Sequence, residues 1–229
     1  MVDRPYTLLS CSVSLDGYLG DHTPRLALSN EADFDRVDAV RASCDAIMVG
    51  AATVRTDNPR LLVRSRARRE ERTARGLPAA PKKITVTNQV DLDAHSNFFT
   101  AGEAEKLVYT PRPRVADARA RLGRAATIVD GGRRVRMRWL TEDLGERGVE
   151  RLMVEGGGVV HTQFLAEDLA DELHLVVAPF FVGDSSAPRF VRDGGFPWNA
   201  DRRATLAEVR KIGDVGLLRY ALSPRFQDE

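Results

Sequence analysis

Short apolar runs alternate with helix-period segments along this chain, and that alternation restricts the fold more than any other feature. Strand-like runs occupy residues 6–14, Asp45–Val49, Lys83–Thr87, Lys106–Thr110, Ala126–Val129, Arg151–Val154 and Glu172–Ala178. Between them lie helical patterns near residues 30–43, at Arg66–Arg75, Arg114–Leu122, Met137–Arg147 and Val159–Leu165. Ser29 or Asn30 caps the first of these, in which Phe34, Val37, Val40 and Arg41 recur at helical spacing. Strands joined by helices pair in parallel, because a parallel crossover needs about a dozen residues. The expected class is therefore α/β, a mostly parallel sheet covered on both faces. Thr205–Lys211 and Gly216–Leu222 flank Ile212-Gly213-Asp214-Val215 and read as a closing antiparallel hairpin. No repeat or linker divides the 229 residues, so residues 1–229 are expected to form a single domain.

Composition narrows the function by exclusion. A formal charge of +1 gives no overall field toward nucleic acid or an acidic membrane. The two cysteines, Cys11 and Cys44, form no CxxC and no cluster with histidine, which argues against a zinc site, and no metal is expected. No apolar leader opens the sequence and no window suits a membrane span, so a cytoplasmic location is expected. The most basic stretch, residues 60–83, carries seven arginines and two lysines against two glutamates. Without interleaved aromatics it reads as a solvated segment rather than a nucleic-acid surface.

The sharpest local signal is Glu155-Gly156-Gly157-Gly158, which follows the apolar run Leu152–Val154 and precedes a helical pattern. Glycines let backbone approach a ligand, and the amides opening a helix point at it with the positive end of the dipole. Glu155 stands at the carboxyl end of a strand, where open α/β sheets bind ligands. The same residues also suit a plain strand-to-helix turn. The motif is not GxGxxG, and no acidic residue follows at dinucleotide spacing, which disfavours a Rossmann domain.

A second constellation runs from Gly50 to Arg64. Thr53 and Asp57 lie one helical turn apart on a shared face, able to hold a sugar hydroxyl or an amide, and Asp57-Asn58-Pro59 is a turn by composition. Arg41 and Arg64 matter because guanidinium forks match phosphate oxygens, although each could equally be a solvated arginine. His161 has no partner spaced for a metal or a triad and reads as a packing or surface residue. Cys44 has no activating neighbour and is expected to be buried.

Five blocks in order resemble the reductase domain of riboflavin biosynthesis: Ser14-Leu15-Asp16-Gly17; Arg41-Ala42 through Asp45–Gly50; Thr53 through Arg64; Leu152–Gly158; and Leu169–Leu173 through Ala178-Pro179, Gly183 and Ala187-Pro188. The resemblance covers roughly residues 5–196 and implies a dihydrofolate-reductase-like fold. It places Thr53, Asp57, Gly156, Gly157, Gly158, Val159, Val160 and His161 at NADPH. Asn88, after the third strand, matches a position where a serine often touches the cofactor phosphate. The substrate, a phosphorylated ribosylamino-pyrimidine, falls to Arg41, Leu61, Arg64 and Glu155.

The resemblance further implies hydride transfer from NADPH to C1′ of the ring-opened imine, giving the ribityl form. Glu155, Asp57 or an ordered water supplies the proton. No His-x-Glu and paired-cysteine deaminase domain accompanies the reductase. Ser10 stands where the bifunctional enzymes tend to carry a lysine, and Thr23–Ser29 lacks their serine-x-tryptophan pattern. The overall pattern is closer to the stand-alone diaminopyrimidine reductases. Another pterin or aminopyrimidine substrate, and a silent cofactor-binding protein, are the competing readings. A homodimer is expected from the family and from the apolar run Val176–Val182, with Phe180 and Phe181 extending toward a partner.

Overall fold

The computed structural model describes residues 4–21 and 26–226. Thr23, Pro24 and Arg25, part of the segment read above as departing from the bifunctional pattern, lie outside them. In chain order the elements are β1 (Tyr6–Val13), α1 (Glu31–Ser43), β2 (Ala46–Gly50), α2 (Ala51–Asp57), α3 (Arg66–Ala74), β3 (Lys82–Val86), α4 (Asn97–Thr100), β4 (Lys106–Thr110), α5 (Val115–Leu122), β5 (Thr127–Asp130), α6 (Met137–Glu146), β6 (Arg151–Val154), α7 (Gly158–Ala166), β7 (Glu172–Val177), β8 (Thr205–Ile212) and β9 (Val215–Ala221). Two compact units emerge. One takes Val37–Met153; the other takes Tyr6–Arg36 and the chain from Val154 onward.

The first unit orders its strands β5-β4-β3-β2-β6, with β2, β3, β4 and β5 paired in parallel. Every residue of β2 is buried, as are the central three of β3 and the last four of β4. Strands buried on both faces must be apolar on both, which is why Ala46-Ile47-Met48-Val49 shows no period-2 alternation. In α6 the buried residues are Met137, Leu140, Thr141 and Leu144, a helical stripe.

The short helix α4 escaped the sequence reading. Its four residues are too few to show a period, and the distant Lys83 helps close it: Nζ donates to the Phe98 and Ala101 carbonyls at 3.2 and 2.5 Å. Burial, with Lys106 and Arg41 nearby, pulls the Lys83 ammonium down to about 8.

The second unit orders its strands β1-β7-β9-β8. β1 and β7 are parallel, while β9 is antiparallel to both β7 and β8, forming the expected C-terminal hairpin. Leu28, Val176, Ala178, Val215 and Leu217 make a buried cluster, with Phe180 and Ile212 packed against it. Phe180 is thus committed inward, and only Phe181, 72% exposed, remains of the expected aromatic pair.

The inner face of this sheet also carries charge. Tyr6 Oη donates to Glu172 at 3.0 Å, Arg219 Nη2 lies 2.8 Å from the same carboxylate, and His174 Nε2 lies 2.7 Å from it. Burial alone would lift the Glu172 carboxyl, but these partners outweigh it and hold the group at about 2.

Helix α1 differs from its sequence reading in an instructive way. Asn30 is the cap, its Oδ1 accepting from the Asp33 amide at 3.0 Å. Yet Phe34 is 39% exposed, while Asp33 and Asp38 are only 0% and 2% exposed. The helix turns acids inward because each is satisfied there, Asp33 by its neighbours Ser29 and Arg36 and Asp38 by the distant Arg64, Ser65 and Arg68.

Candidate functional site

In the first unit, β2 and β3 end level, Gly50 pairing with Val86. Helix α2 starts at once from Gly50, which offers no side-chain cap to its first amides. Thr53 is half-buried and Asp57 exposed in this helix, four residues apart on one face. Asn88 is exposed two residues beyond β3, at the same sheet edge. Just before it in the chain, the Thr87 hydroxyl accepts from the Val90 amide at 3.0 Å and shapes the turn. These are the carboxyl ends of parallel strands, where α/β sheets hold ligands.

Beyond α2 the chain passes through two non-glycine residues with positive φ, Asn58 (45°) and Leu61 (47°). Leu61 and Val63 then bury their side chains, each 1% exposed, which leaves Arg64 outward. Main-chain groups here are taken up by side chains rather than by a sheet. The Asp38 carboxylate accepts from the Arg64 amide and, at 3.0 Å, from the Ser65 amide, with Arg68 Nη1 2.9 Å from it. Arg41, one turn further along α1, donates to the Leu62 carbonyl at 3.2 Å. Arg69 Nη1 donates to the Val63 and Arg64 carbonyls at 2.9 and 2.6 Å. Burial would raise the Asp38 carboxyl, but the amides and Arg68 prevail and lower it.

The basic stretch 60–83 is therefore not a uniformly solvated segment. Arg72 is 2% exposed and donates to the Ala42, Cys44 and Pro78 carbonyls, closing the end of α1. Asp38, Arg68 and Arg69 were missed from sequence. The available signal was an acid three residues before Arg41 on the same helix face.

In the second unit, Glu155 is half-buried immediately after β6. Gly156 has φ +123°, which only glycine adopts readily, and the Gly156–Gly157 peptide is cis. Helix α7 opens from Gly157, again with no side-chain cap. A Cβ on Gly158 would stand 2.2 Å from the Arg189 carbonyl oxygen, so that position admits only glycine without movement. Val159 is 45% exposed on the first turn, while Val160 and His161 are buried. The His161 ring packs 5.3 Å from Phe190, and neither nitrogen has a hydrogen-bond partner among the described residues. Burial pushes its pKa down to about 4, so the imidazole is neutral near pH 7. Any contact from Val160 or His161 to a ligand would have to come through the main chain.

The first and fifth blocks of the resemblance meet in this unit. Asp16 accepts from Ser14 Oγ at 2.5 Å and from the Val182 and Gly183 amides at 3.1 and 2.8 Å. Those bonds, that from Ser14 first, hold its carboxyl at about 2. Cys11 and Cys44 are buried, and burial raises both thiols, which leaves neither a nucleophile. Among the described residues no helix is long and apolar enough to cross a membrane.

The fold is of the α/β class, and helix starts without a side-chain cap at the carboxyl ends of its strands, as at α2 and at α7, are where α/β proteins commonly hold anionic small molecules. Comparison with known proteins makes this specific. The family model described as the RibD C-terminal domain matches residues 5–218. A 2,5-diamino-6-ribosylamino-4(3H)-pyrimidinone 5′-phosphate reductase of Archaeoglobus fulgidus is 32% identical over 97% of this chain and 99% of its own length. One of the same name from Methanothermobacter thermautotrophicus is 34% identical over 96% and 99%. A solved pyrimidine reductase-like protein of Corynebacterium diphtheriae superposes with a TM-score of 0.81 at 21% identity, covering 95% of this chain and 91% of that one. The chain belongs to the riboflavin pyrimidine reductase family, and its fold is dihydrofolate-reductase-like.

Proposed function

We propose that this chain is a single reductase domain that uses NADPH to reduce a 2,5-diamino-6-ribosylamino-pyrimidinone 5′-phosphate to its ribityl form. The observation that carries the reading is Arg64, exposed on a segment whose main-chain groups are tied down from α1 and α3. A guanidinium held this way suits a phosphate monoester. The two relatives named above act on such a phosphate by their names.

The cofactor fits the residues present: glycine opens both α2 and α7, so their first amides are left for an anion rather than a side chain. Gly157 and Gly158 with the main chain of Val159, Val160 and His161, and Thr53, Asp57 and Asn88, would hold it. Bound NADPH supplies the hydride to C1′ of the open imine. The protein's part is alignment and one proton. Arg41, Arg64 and, since its side chain is buried, only the main chain of Leu61 would hold the substrate, and Glu155 or Asp57 delivers the proton to the imine nitrogen, so that C=N becomes CH–NH.

The test is steady-state kinetics with the phosphorylated substrate. Arg64→Ala is expected to lose about 2–4 kcal/mol in kcat/KM, mostly through KM, with NADPH affinity retained. Glu155→Gln is expected to lower kcat in a protein of unchanged Tm. NADPH is expected to bind roughly tenfold tighter than NADH, about 1.4 kcal/mol. Wild-type kinetics in both variants would remove the assignment.

We further propose a cytoplasmic homodimer. Its support is an inverted sheet: the face of β7 and β9 bearing Glu172, His174 and Arg219 is the more buried one. On the opposite face Leu175, Val177, Leu218 and Tyr220 are only half-buried, and Leu206 and Val209 of β8 are 49% and 66% exposed. Uncovered apolar sheet of this kind fits an isologous contact with a second copy. Light scattering is expected to give twice the chain mass, and Val209→Asp to shift it toward the monomer.

A further inference from the structure

We infer that Asp38 and Arg69 are positioning residues for substrate recognition, fixing the backbone from which Arg64 meets the phosphate. The inference rests on the role proposed for Arg64. A flexible loop arginine would have to be ordered each time substrate bound; here the order is built in before binding. Asp38 acts from the helix side, accepting both consecutive amides at Arg64 and Ser65. Arg69 acts from the other side, donating to the carbonyls of Val63 and Arg64. Arg41 adds a bond to the Leu62 carbonyl. Five main-chain groups in four consecutive residues are thus held by three side chains. With the side chains of Leu61 and Val63 both sunk in the core as well, the segment has little freedom left.

The charge pattern supports the same division of labour. Asp38 is spent on amides and on Arg68, so its negative charge is neutralised within the scaffold and does not oppose an incoming phosphate. With burial outweighed by those partners, the carboxyl is held below its ordinary value. Neither Asp38 nor Arg69 needs to touch the substrate.

The test compares the phosphorylated substrate with its dephosphorylated counterpart in Asp38→Asn, Arg69→Met, Arg64→Ala and the double variant Asp38→Asn/Arg64→Ala. Asp38→Asn keeps the shape but cannot accept from both amides as a carboxylate does. It is expected to raise KM for the phosphorylated substrate about tenfold, with kcat, NADPH affinity and KM for the dephosphorylated compound within about twofold of wild type. Arg69→Met is expected to give the same split at about threefold, and it stands in should Asp38→Asn fail to fold. In the Arg64→Ala background, Asp38→Asn is expected to add nothing.

Equal effects on both substrates, unchanged KM in the folded single variants, or full additivity in the double variant would overturn the inference while leaving Arg64 in place. If Arg64→Ala itself leaves KM unchanged, the phosphate reading falls first and the positioning role with it.

Discussion

The segment Leu61–Ser65, which follows β2 and α2, and the turn Glu155–Gly158, which joins β6 to α7, are held by opposite means. The first is held by charge: a buried carboxylate and two arginines occupy its amides and carbonyls. The second is held by shape. Gly158 presses on the Arg189 backbone, and beneath Gly156 lies His161, whose ring nitrogens have no hydrogen-bond partner among the described residues and whose neighbour is aromatic. A charge-held loop should tolerate added bulk at its outward positions and respond to loss of a partner. A shape-held turn should do the reverse.

The contrast breaks most visibly at Gly158. Alanine there puts a methyl 2.2 Å from a main-chain oxygen, which cannot swing away as a side chain could. The expected cost is about 3 kcal/mol, equivalent to a fall in Tm on the order of 10 °C, together with weakened NADPH binding. Thermal melting and a nucleotide titration measure both. A Gly158→Ala protein that melts and binds as wild type would show that the turn has slack, and the idea of a shape-held site would go.

The two regions also differ in how far the sequence revealed them. The glycine turn was legible because everything that makes it is consecutive: an apolar strand, three glycines, a helix. The strand order from β2 to β6 and the helices α3, α5 and α6 were legible for the same reason, as local patterns repeated along the chain, whereas the short α4 was not. The clamp on Arg64 was not. Its acid lies 26 and 27 residues from the amides it binds, and within α1 the apolar spacing of Phe34, Val37 and Val40 pointed to a different inner face. Burying Asp33 and Asp38 instead is stable because both are satisfied, Asp33 locally by Ser29 and Arg36 and Asp38 from elsewhere by Arg64, Ser65 and Arg68. Periodicity registers which residues are apolar, not which polar ones will be satisfied. The buried Arg72 shows the same limit: inside a stretch whose composition reads as solvated, one arginine closes a helix.

The comparison sharpens at His161, where pH can be used as the probe. In an unfolded chain this imidazole takes a proton near its ordinary value of 6.5, whereas burial holds it at about 4 in the fold. Between those values the unfolded state binds a proton that the folded state refuses. Stability is therefore complete above pH 6.5 and falls as pH drops toward 4, by about 1.4 kcal/mol per unit at most, or about 3 kcal/mol across the window. His174, also lowered chiefly by burial, adds to the same slope, and Glu172 contributes only further down, between its ordinary value and about 2. The His161 share is isolated by difference. His161→Leu removes the titrating ring but keeps an apolar filling against Phe190, so its stability is expected to fall less steeply from pH 7 to pH 4. It is also expected to be at least as stable as wild type at pH 7, because two buried nitrogens without partners among the described residues are replaced by carbon. Denaturant melts of both proteins at several pH values decide the matter. A leucine variant that loses stability at pH 7 and keeps the full acid slope would mean that the ring is held by a polar partner. The glycine turn would then rest on a hydrogen bond, as the Arg64 segment does, and the contrast between the two halves would be lost.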